Sequence, residues 1–283
     1  MTLNLVSVKP GLTQFPLTEN YARRLMDTKF MGFDERDLLR TRLLGELRHT
    51  ELSLQELREA GEVFYQNSDD IGLYGLSPSE LKEKECKIVG RTAVECKIDG
   101  QCRFISERLP AVLRSNYTEF DKLSIIDLFL GSGNLLYHIT SRLNARIAIG
   151  FEADPEVFRR TQHNFNRIGF QANIFERTYQ PQDLMTIPHD HIAIVILDPP
   201  WGHGFTFTNG LDLAQTDPPV LQVAESCSLA LDKVAGLILI ILCKEITHEN
   251  SVKEILARFH YVDRSTTTDW RRGSNTSFLI CRR

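Results

Sequence analysis

The chain has 283 residues, of which 42% are apolar and 25% charged, the composition of a globular protein with a sizeable core. Its net charge of −4 and pI near 6.1 exclude a broad cationic surface that grips a long nucleic acid, although a local basic patch is compatible with both. No apolar run reaches the length of a membrane span, and the N-terminal MTLNLVSVKPGLTQF lacks the basic-then-apolar order of a signal peptide, so a cytoplasmic chain without a membrane partner is expected.

Residues 1 to about 16 read as irregular, and 18 to 66 as helical. Leu38, Leu39, Leu43 and Leu44 form one apolar helix stripe. Ser53-Leu54-Gln55-Glu56 and Ser77-Pro78-Ser79-Glu80 are capping boxes, the second with proline at the first helical position. Asn67-Ser68-Asp69-Asp70 marks a loop between them. Residues 93–98 and 101–106 flank Asp99-Gly100, a dipeptide suited to a type I′ turn, and predict a β-hairpin. Residues 1–120 are thus expected to form a mostly helical region with a small β element, holding no motif that can be tied to chemistry.

From Ser124 onward strand and helix patterns alternate. Strands are predicted over 124–130, 146–151, 171–175, 192–197, 236–243, 261–265 and 276–281. A helix is predicted over Pro155–Ile168, with Val157, Phe158, Thr161, Phe165 and Ile168 on its buried face. This alternation predicts an α/β fold with a doubly wound, mostly parallel sheet. The short link Trp270–Asn275 leaves little room for a helix, so the last two strands should pair antiparallel. The six cysteines (Cys86, Cys96, Cys102, Cys227, Cys243 and Cys281) form no CxxC pair and no zinc spacing, so no metal is expected; Cys243 and Cys281 read as small core residues.

Two stretches carry chemistry. In Asp127-Leu128-Phe129-Leu130-Gly131-Ser132-Gly133 a strand ends in a glycine turn and a helix opens near Asn134. The third glycine of a dinucleotide fingerprint is replaced by Leu136, which counts against a pyrophosphate cradle. Glu152 ends the second strand about 20 residues later, where an acid can bind a ribose diol. A cofactor with a ribose and no pyrophosphate, S-adenosylmethionine, fits both. The second stretch is Asp198-Pro199-Pro200-Trp201-Gly202, at the end of the apolar run 191–197. Neither proline can continue a strand ladder, so an acid and an indole are left at the carboxyl edge of a central strand. A carboxylate and a backbone carbonyl there could hold the protons of an aromatic amine and turn its lone pair toward a methyl donor. Pro-Pro can also be a simple turn with Trp201 filling a gap, and Gly202 and Gly204 would leave the following loop free to close.

DLFLGSG, FEADP and DPPWG in this order resemble the class I S-adenosylmethionine-dependent methyltransferases over roughly residues 120–283. Within that class the motifs are similar to those of trimethylguanosine synthase and of bacterial ribosomal RNA guanine-N2 methyltransferases, and Asp-Pro-Pro-aromatic also occurs in adenine-N6 methyltransferases. The resemblance implies a Rossmann-like domain over 121–283 and an N-terminal substrate-binding or lid region over 1–120. It implies that Asp127, Leu130, Gly131 and Gly133 hold the methionine end of the cofactor and Glu152 its ribose. After the third strand most relatives carry an acid that touches the adenine amine; the chain departs from them there with Phe175-Glu176-Arg177-Thr178-Tyr179, in which Glu176 could serve. Asp198 and the Pro199 carbonyl would hold the acceptor NH; Trp201 would stack on the base, with Pro200 and Gly202 beside it. The acceptor is expected to be a guanine or adenine nitrogen in RNA or DNA, or a nucleobase-like small molecule. Methylation of a protein glutamine amide, and an inactive binding module, remain alternatives. His203 reads as a surface loop residue.

Overall fold

The structure, a computed structural model, describes residues 33–206, 208–244, 246–266 and 277–283. The expectations for residues 1–32 and for the link 270–275 lie outside the described residues.

Among the described residues six helices precede the sheet: α1 (Phe33–Leu44), α2 (Leu54–Tyr65), α3 (Pro78–Glu83), α4 (Gly90–Glu95), α5 (Asp99–Ser106) and α6 (Leu109–Asn116). Both predicted capping boxes open helices. Ser53 Oγ accepts the Glu56 N–H at 3.2 Å while Glu56 accepts the Ser53 N–H at 2.8 Å. Ser77 and Glu80 repeat the exchange at the start of α3. Two expectations fail here. Leu39 and Leu43 are buried on α1, but Leu38 is 70% exposed, so the four leucines are not one buried stripe. The predicted hairpin over 93–106 is instead α4 and α5. The buried residues Ile98, Cys102 and Ile105 follow the spacing of a helix, not of a strand. Asp99 stands in the first turn of α5, where a carboxylate suits the helix dipole, and neither it nor Gly100 has positive φ.

The second half alternates β1 (Leu123–Asp127), α7 (Asn134–Leu143), β2 (Ile147–Glu152), α8 (Pro155–Ile168), β3 (Asn173–Glu176), α9 (Pro181–Leu184), β4 (Ile192–Leu197), β5 (Phe205–Thr206), β6 (Gly210–Leu211), α10 (Val220–Ala230), β7 (Gly236–Cys243), α11 (Glu249–Leu256), β8 (His260–Thr266) and β9 (Ser277–Arg282). A seven-stranded sheet runs in the order β3-β2-β1-β4-β7-β9-β8. Its first five strands are parallel, and β9 is antiparallel to both neighbours. The seven predicted strands and the antiparallel end are therefore present. The small β5–β6 hairpin, within the connection from β4 to α10, was not predicted.

Every residue of β4 and β7 is buried, which is why their sequences are continuous apolar runs. Alternate residues feed two cores. Ile125, Ile194, Ile196, Ile238 and Ile240 pack in one continuous core with Leu43, Leu57, Ile88, Ile98 and Ile105 of the N-terminal helices and their connecting loops. Ile126, Val195, Leu197, Leu239 and Ile241 pack on the other face with Val223, Ala224 and Cys227 of α10. The N-terminal helices are thus built against the sheet, and the six cysteines are all free thiols.

Register sets up the site. Asp127 pairs with Gly150 of β2 and Ile196 of β4. Glu152 and Asp198 each lie two residues beyond those partners, so three carboxylates share the carboxyl edge of three adjacent strands. Lys244 follows directly on β7, the next strand over.

Candidate cofactor and acceptor cleft

At the end of β1 the chain turns sharply. The Phe129 N–H donates to Asp127 Oδ1 at 3.1 Å, and the Leu130 N–H donates to the Phe151 carbonyl at 2.8 Å. Gly131 (φ 52°) and Gly133 (φ 70°) are both in the left-handed region. Their reasons differ. A Cβ on Gly133 would lie 2.4 Å from the Phe165 ring, so this glycine lets α8 close on the turn. A Cβ on Gly131 would meet nothing within 4 Å, so this glycine serves the turn itself and keeps its open side bare. Thr161 Oγ1 donates to the Gly131 carbonyl at 2.6 Å, and Glu152 accepts the N–H groups of Gly131 (2.9 Å) and Asp154 (2.8 Å). Leu136, in place of a third glycine, is fully buried in the core.

A cleft of about 1790 Å³ opens above this edge, and Asp127, Leu130, Gly131, Glu152, Asp198, Pro199, Pro200 and Trp201 all line it. Gly133 and Gly202 do not; Gly133 lies buried behind the turn. Glu176 stands at the exposed end of β3, outside the cleft, and Thr178 and Tyr179 form that wall in its place. Tyr179 meets Phe129 and Phe151 edge-on, with centroids 6.3 and 6.4 Å apart.

Trp201 is half-buried. Its ring lies 5.3 Å from Phe205 and at the margin of the second core, while it also borders the cleft. The loop beyond it is tied down, contrary to the expectation from its glycines. The Gly204 N–H donates to the Trp201 carbonyl at 2.8 Å, the Gly204 carbonyl accepts the Asp212 N–H at 2.7 Å, and Asp217 N–H donates to the Pro200 carbonyl at 3.0 Å. A Cβ on Gly204 would strike the Asp212 carbonyl at 2.8 Å, so its glycine serves close packing. His203 is exposed, as predicted.

The N-terminal region supplies residues that the sequence reading passed over. Tyr74 and Gly75 form a tight turn with positive φ (61° and 75°), closed by the Leu76 N–H to the Leu73 carbonyl at 3.0 Å. This turn reaches the glycine loop. The Tyr74 hydroxyl donates to the Ser132 carbonyl at 2.6 Å, and the Tyr74 N–H donates to Asn134 Oδ1 at 2.7 Å. Asn134 Nδ2 in turn donates to the Lys97 carbonyl at 2.7 Å. Asp99 braces the assembly, accepting the Gly75 N–H at 2.9 Å and meeting His138 Nε2 at 2.6 Å. Lys97 then extends its ammonium to Asp198 Oδ2 at 2.6 Å. A helical reading of residues 98–105 would have placed Lys97 just before a helix N-terminus, but no local pattern indicates that it reaches Asp198.

The charges in the cleft are coupled. Burial pushes the Asp127 carboxyl up to about 7, the negative charges of Asp198 and Glu152 add to this, and the Phe129 N–H and Lys97 oppose it. Burial pushes Lys244 down to about 8, helped by the charge of Lys97 and opposed by Asp198. Burial also presses on the Lys97 ammonium, but Asp198 overrides it and the net direction is upward.

Known proteins compare as follows. The family described as Conserved hypothetical protein 95 matches residues 111–227, which include the glycine turn, Glu152 and Asp198–Trp201. No curated protein sequence matches the chain. Among solved structures, a candidate class I S-adenosylmethionine-dependent methyltransferase from Listeria monocytogenes is similar at 16% identity, with 88% of each chain covered and a TM-score of 0.47. An rRNA methylase from Streptococcus thermophilus is similar at 14% identity over 65% of this chain and 93% of its own, with a TM-score of 0.39. An S-adenosylmethionine-dependent methyltransferase from Aquifex aeolicus is similar at 13% identity over 65% of this chain and 97% of its own, with a TM-score of 0.39. The strand order, the antiparallel last pair and the cleft at the carboxyl ends of β1, β2 and β4 give this chain the Rossmann-like fold of the class I methyltransferases.

Proposed function

We propose that the chain is an S-adenosylmethionine-dependent N-methyltransferase whose acceptor is a nitrogen on a planar, nucleobase-like heterocycle, carried by RNA or by a phosphorylated small molecule. The observation that carries the reading is the single cleft shared by the glycine turn, with its two carboxylates, and Asp198-Pro199-Pro200-Trp201.

The donor set fits this cofactor and argues against a pyrophosphate one. Asp127 and Glu152 flank the turn and would repel phosphates, whereas a carboxylate can hold an ammonium and another can accept both hydroxyls of a ribose. The bare side of Gly131 leaves room for a ligand against the backbone. Asp127 and the Leu130–Gly131 turn would hold the methionine portion, Glu152 the ribose, and the Phe151–Tyr179 wall the adenine. When bound, the cofactor supplies a methyl carbon made electrophilic by its sulfonium, which leaves as a neutral thioether as the C–S pair returns to sulfur.

Asp198 and the Pro199 carbonyl would accept the two N–H bonds of the acceptor amine and rotate its lone pair out of conjugation. Trp201 would hold the ring plane, a stacking contact worth roughly 1–3 kcal/mol per base. As the new N–C bond forms, positive charge grows on nitrogen beside the Asp198 carboxylate, which stabilises it. The conjugated ammonium is strongly acidic and releases its proton to water in the cleft. Arg40 and Lys87 line the same cleft and favour a phosphate-bearing acceptor, while Arg36, Arg91 and Arg160, also in the lining, are engaged by carbonyls or carboxylates of the chain.

The test is calorimetry with S-adenosylmethionine and S-adenosylhomocysteine, then transfer of a labelled methyl group to total RNA, to DNA, to a small-molecule extract and to total protein in parallel. Binding of both ligands, weakened in Glu152→Ala, with label in RNA or nucleotides, is expected. Binding of NAD in their place, or label entering only protein glutamine, would overturn the reading.

A further inference from the structure

We infer that Lys97 reads the acceptor, donating a hydrogen bond to the ring nitrogen next to the amine that Asp198 holds, so that the cleft selects heterocycles in which a target amine neighbours a lone-pair ring atom. This rests on the methyltransferase reading and narrows its acceptor class.

Lys97 has donor capacity to spare. An ammonium has three N–H donors and no acceptor. Among the described residues, the hydrogen bonds of Lys97 Nζ lead to one group, Asp198 Oδ2 at 2.6 Å. Donors remain on a half-buried side chain that lines the cleft. A donor left without a partner when an acceptor molecule fills that space would cost free energy, so a well-matched ligand brings an acceptor atom to it.

Position makes this atom predictable. Lys97 and Asp198 stand side by side, a donor beside an acceptor. The complementary edge carries an N–H beside a lone pair. Four such amine edges occur in nucleobases: the adenine amine beside N1 or N7, the cytosine amine beside N3 and the guanine amine beside N3; the first, third and fourth place the lone pair on the ring atom bonded to the amine-bearing carbon, as the inference requires. An isolated aromatic amine or an alkylamine lacks the second atom. The negative charge of Asp198 next to the ammonium offsets its pull on the ring electrons, so the bond can orient the ring without quenching the amine.

The lysine is also held in place. Its carbonyl accepts Asn134 Nδ2 at 2.7 Å, and Asn134 accepts the Tyr74 N–H, so the backbone of Lys97 is fastened to the first residue after the glycine turn. The donor is therefore registered against the cofactor loop as well as against Asp198. A free surface lysine would give no such registration, because its flexible stem loses entropy in every ordered pose.

The experiment is a protein–substrate cycle. Methyl transfer to AMP, GMP and CMP is compared with transfer to 1-deaza-AMP, 3-deaza-GMP and 3-deaza-CMP, in the wild type, Lys97→Met and Lys97→Arg. For the accepted nucleotide, the deaza change should lower kcat/KM roughly tenfold or more in the wild type, the size of one charge-assisted hydrogen bond. The same change should have little effect in Lys97→Met, while Lys97→Arg should keep most of the discrimination. Thermal melting and S-adenosylhomocysteine affinity of each variant verify folding, and Lys97→Ala, with the same expected loss of discrimination, carries the test if Lys97→Met does not fold. An equal deaza penalty in wild type and Lys97→Met would overturn the inference, because a lysine that merely neutralises Asp198 leaves that ratio unmoved. If that additive result is accompanied by loss of turnover in Asp198→Asn, the methyltransferase reading survives alone; if only RNA is methylated, the same deaza comparison is made in short oligoribonucleotides, and a wild type inert toward both nucleotides and RNA removes the nucleobase acceptor and the inference together.

Discussion

The ammonium of Lys244 stands 4.1 Å from the centroid of the Trp201 ring. One face of the indole proposed to stack on the acceptor is thus already engaged by a cation. Such a contact is worth about 0.5–2 kcal/mol, close to the roughly 1–3 kcal/mol of base stacking. Neither is negligible beside the other, so Lys244 sets how readily the indole accepts a ring.

This relationship can be followed directly. Lys244 is pushed down to about 8 by burial and by the charge of Lys97, so its cation leaves the indole as pH rises through that value. Trp201 fluorescence, measured in a Trp270→Phe background, should change with a midpoint near pH 8, between about 7 and 9. The transition should vanish in Lys244→Met. A flat titration in the parent would show that the pair does not titrate as described.

Asp198 tests the chemistry. Asp198→Asn keeps the shape but loses the charge, and should lower kcat by roughly 100-fold or more, the order seen when a preorganised electrostatic partner is removed. S-adenosylhomocysteine affinity should stay within a few-fold, since Asp198 faces the acceptor. Retained turnover would reduce the motif to a turn.

Trp201 borders both the cleft and the second core. Because it is half-buried, Trp201→Ala should cost less than the ~3–5 kcal/mol typical of a fully buried aromatic, yet raise the acceptor KM strongly. Trp201→Phe should keep part of the activity, as a smaller π-face remains. A melting midpoint that collapses in Trp201→Ala, with kinetics unchanged in Trp201→Phe, would assign the residue to packing.

Asp127 links stability to pH. Its folded value, about 7, lies above the ordinary carboxylate range because of burial. Between roughly pH 4 and 7 the folded chain therefore holds one more proton than the unfolded chain, and stability falls as pH rises through that window. Above it the buried charge is a standing cost of a few kcal/mol. Asp127→Asn should melt higher than the wild type at pH 8, with the difference fading toward pH 4. The same variant should bind S-adenosylmethionine poorly, and wild-type binding should tighten from pH 6 to 8 as the carboxylate ionises. Equal melting at pH 8 would contradict the buried, proton-holding state.

The sequence by itself determined what is local. Continuous Ile and Val runs specify buried parallel strands, because such a strand has no wet face to alternate with. Glycines at 131 and 133 permit a left-handed turn without the steric cost that most side chains meet at those φ values, and Pro199-Pro200 ends a strand for want of N–H donors. The seven strands and the shared edge of Asp127, Glu152 and Asp198 follow from these. Where local signals competed, the reading failed. Asp99-Gly100 suits a hairpin turn as well as a helix start, and the buried spacing of Ile98, Cys102 and Ile105 decided for the helix. Glu176 fitted a strand-end pattern, whereas nothing local marked Tyr179, which the tertiary structure places in the cleft wall. The partners of the chemistry were invisible for a different reason. Lys97 meets Asp198 across 101 residues of chain, and Tyr74 meets Ser132 across 58. No periodicity or propensity encodes such pairings; they arise when the N-terminal helices bury their apolar faces on the sheet and carry one lysine and one tyrosine to its carboxyl edge.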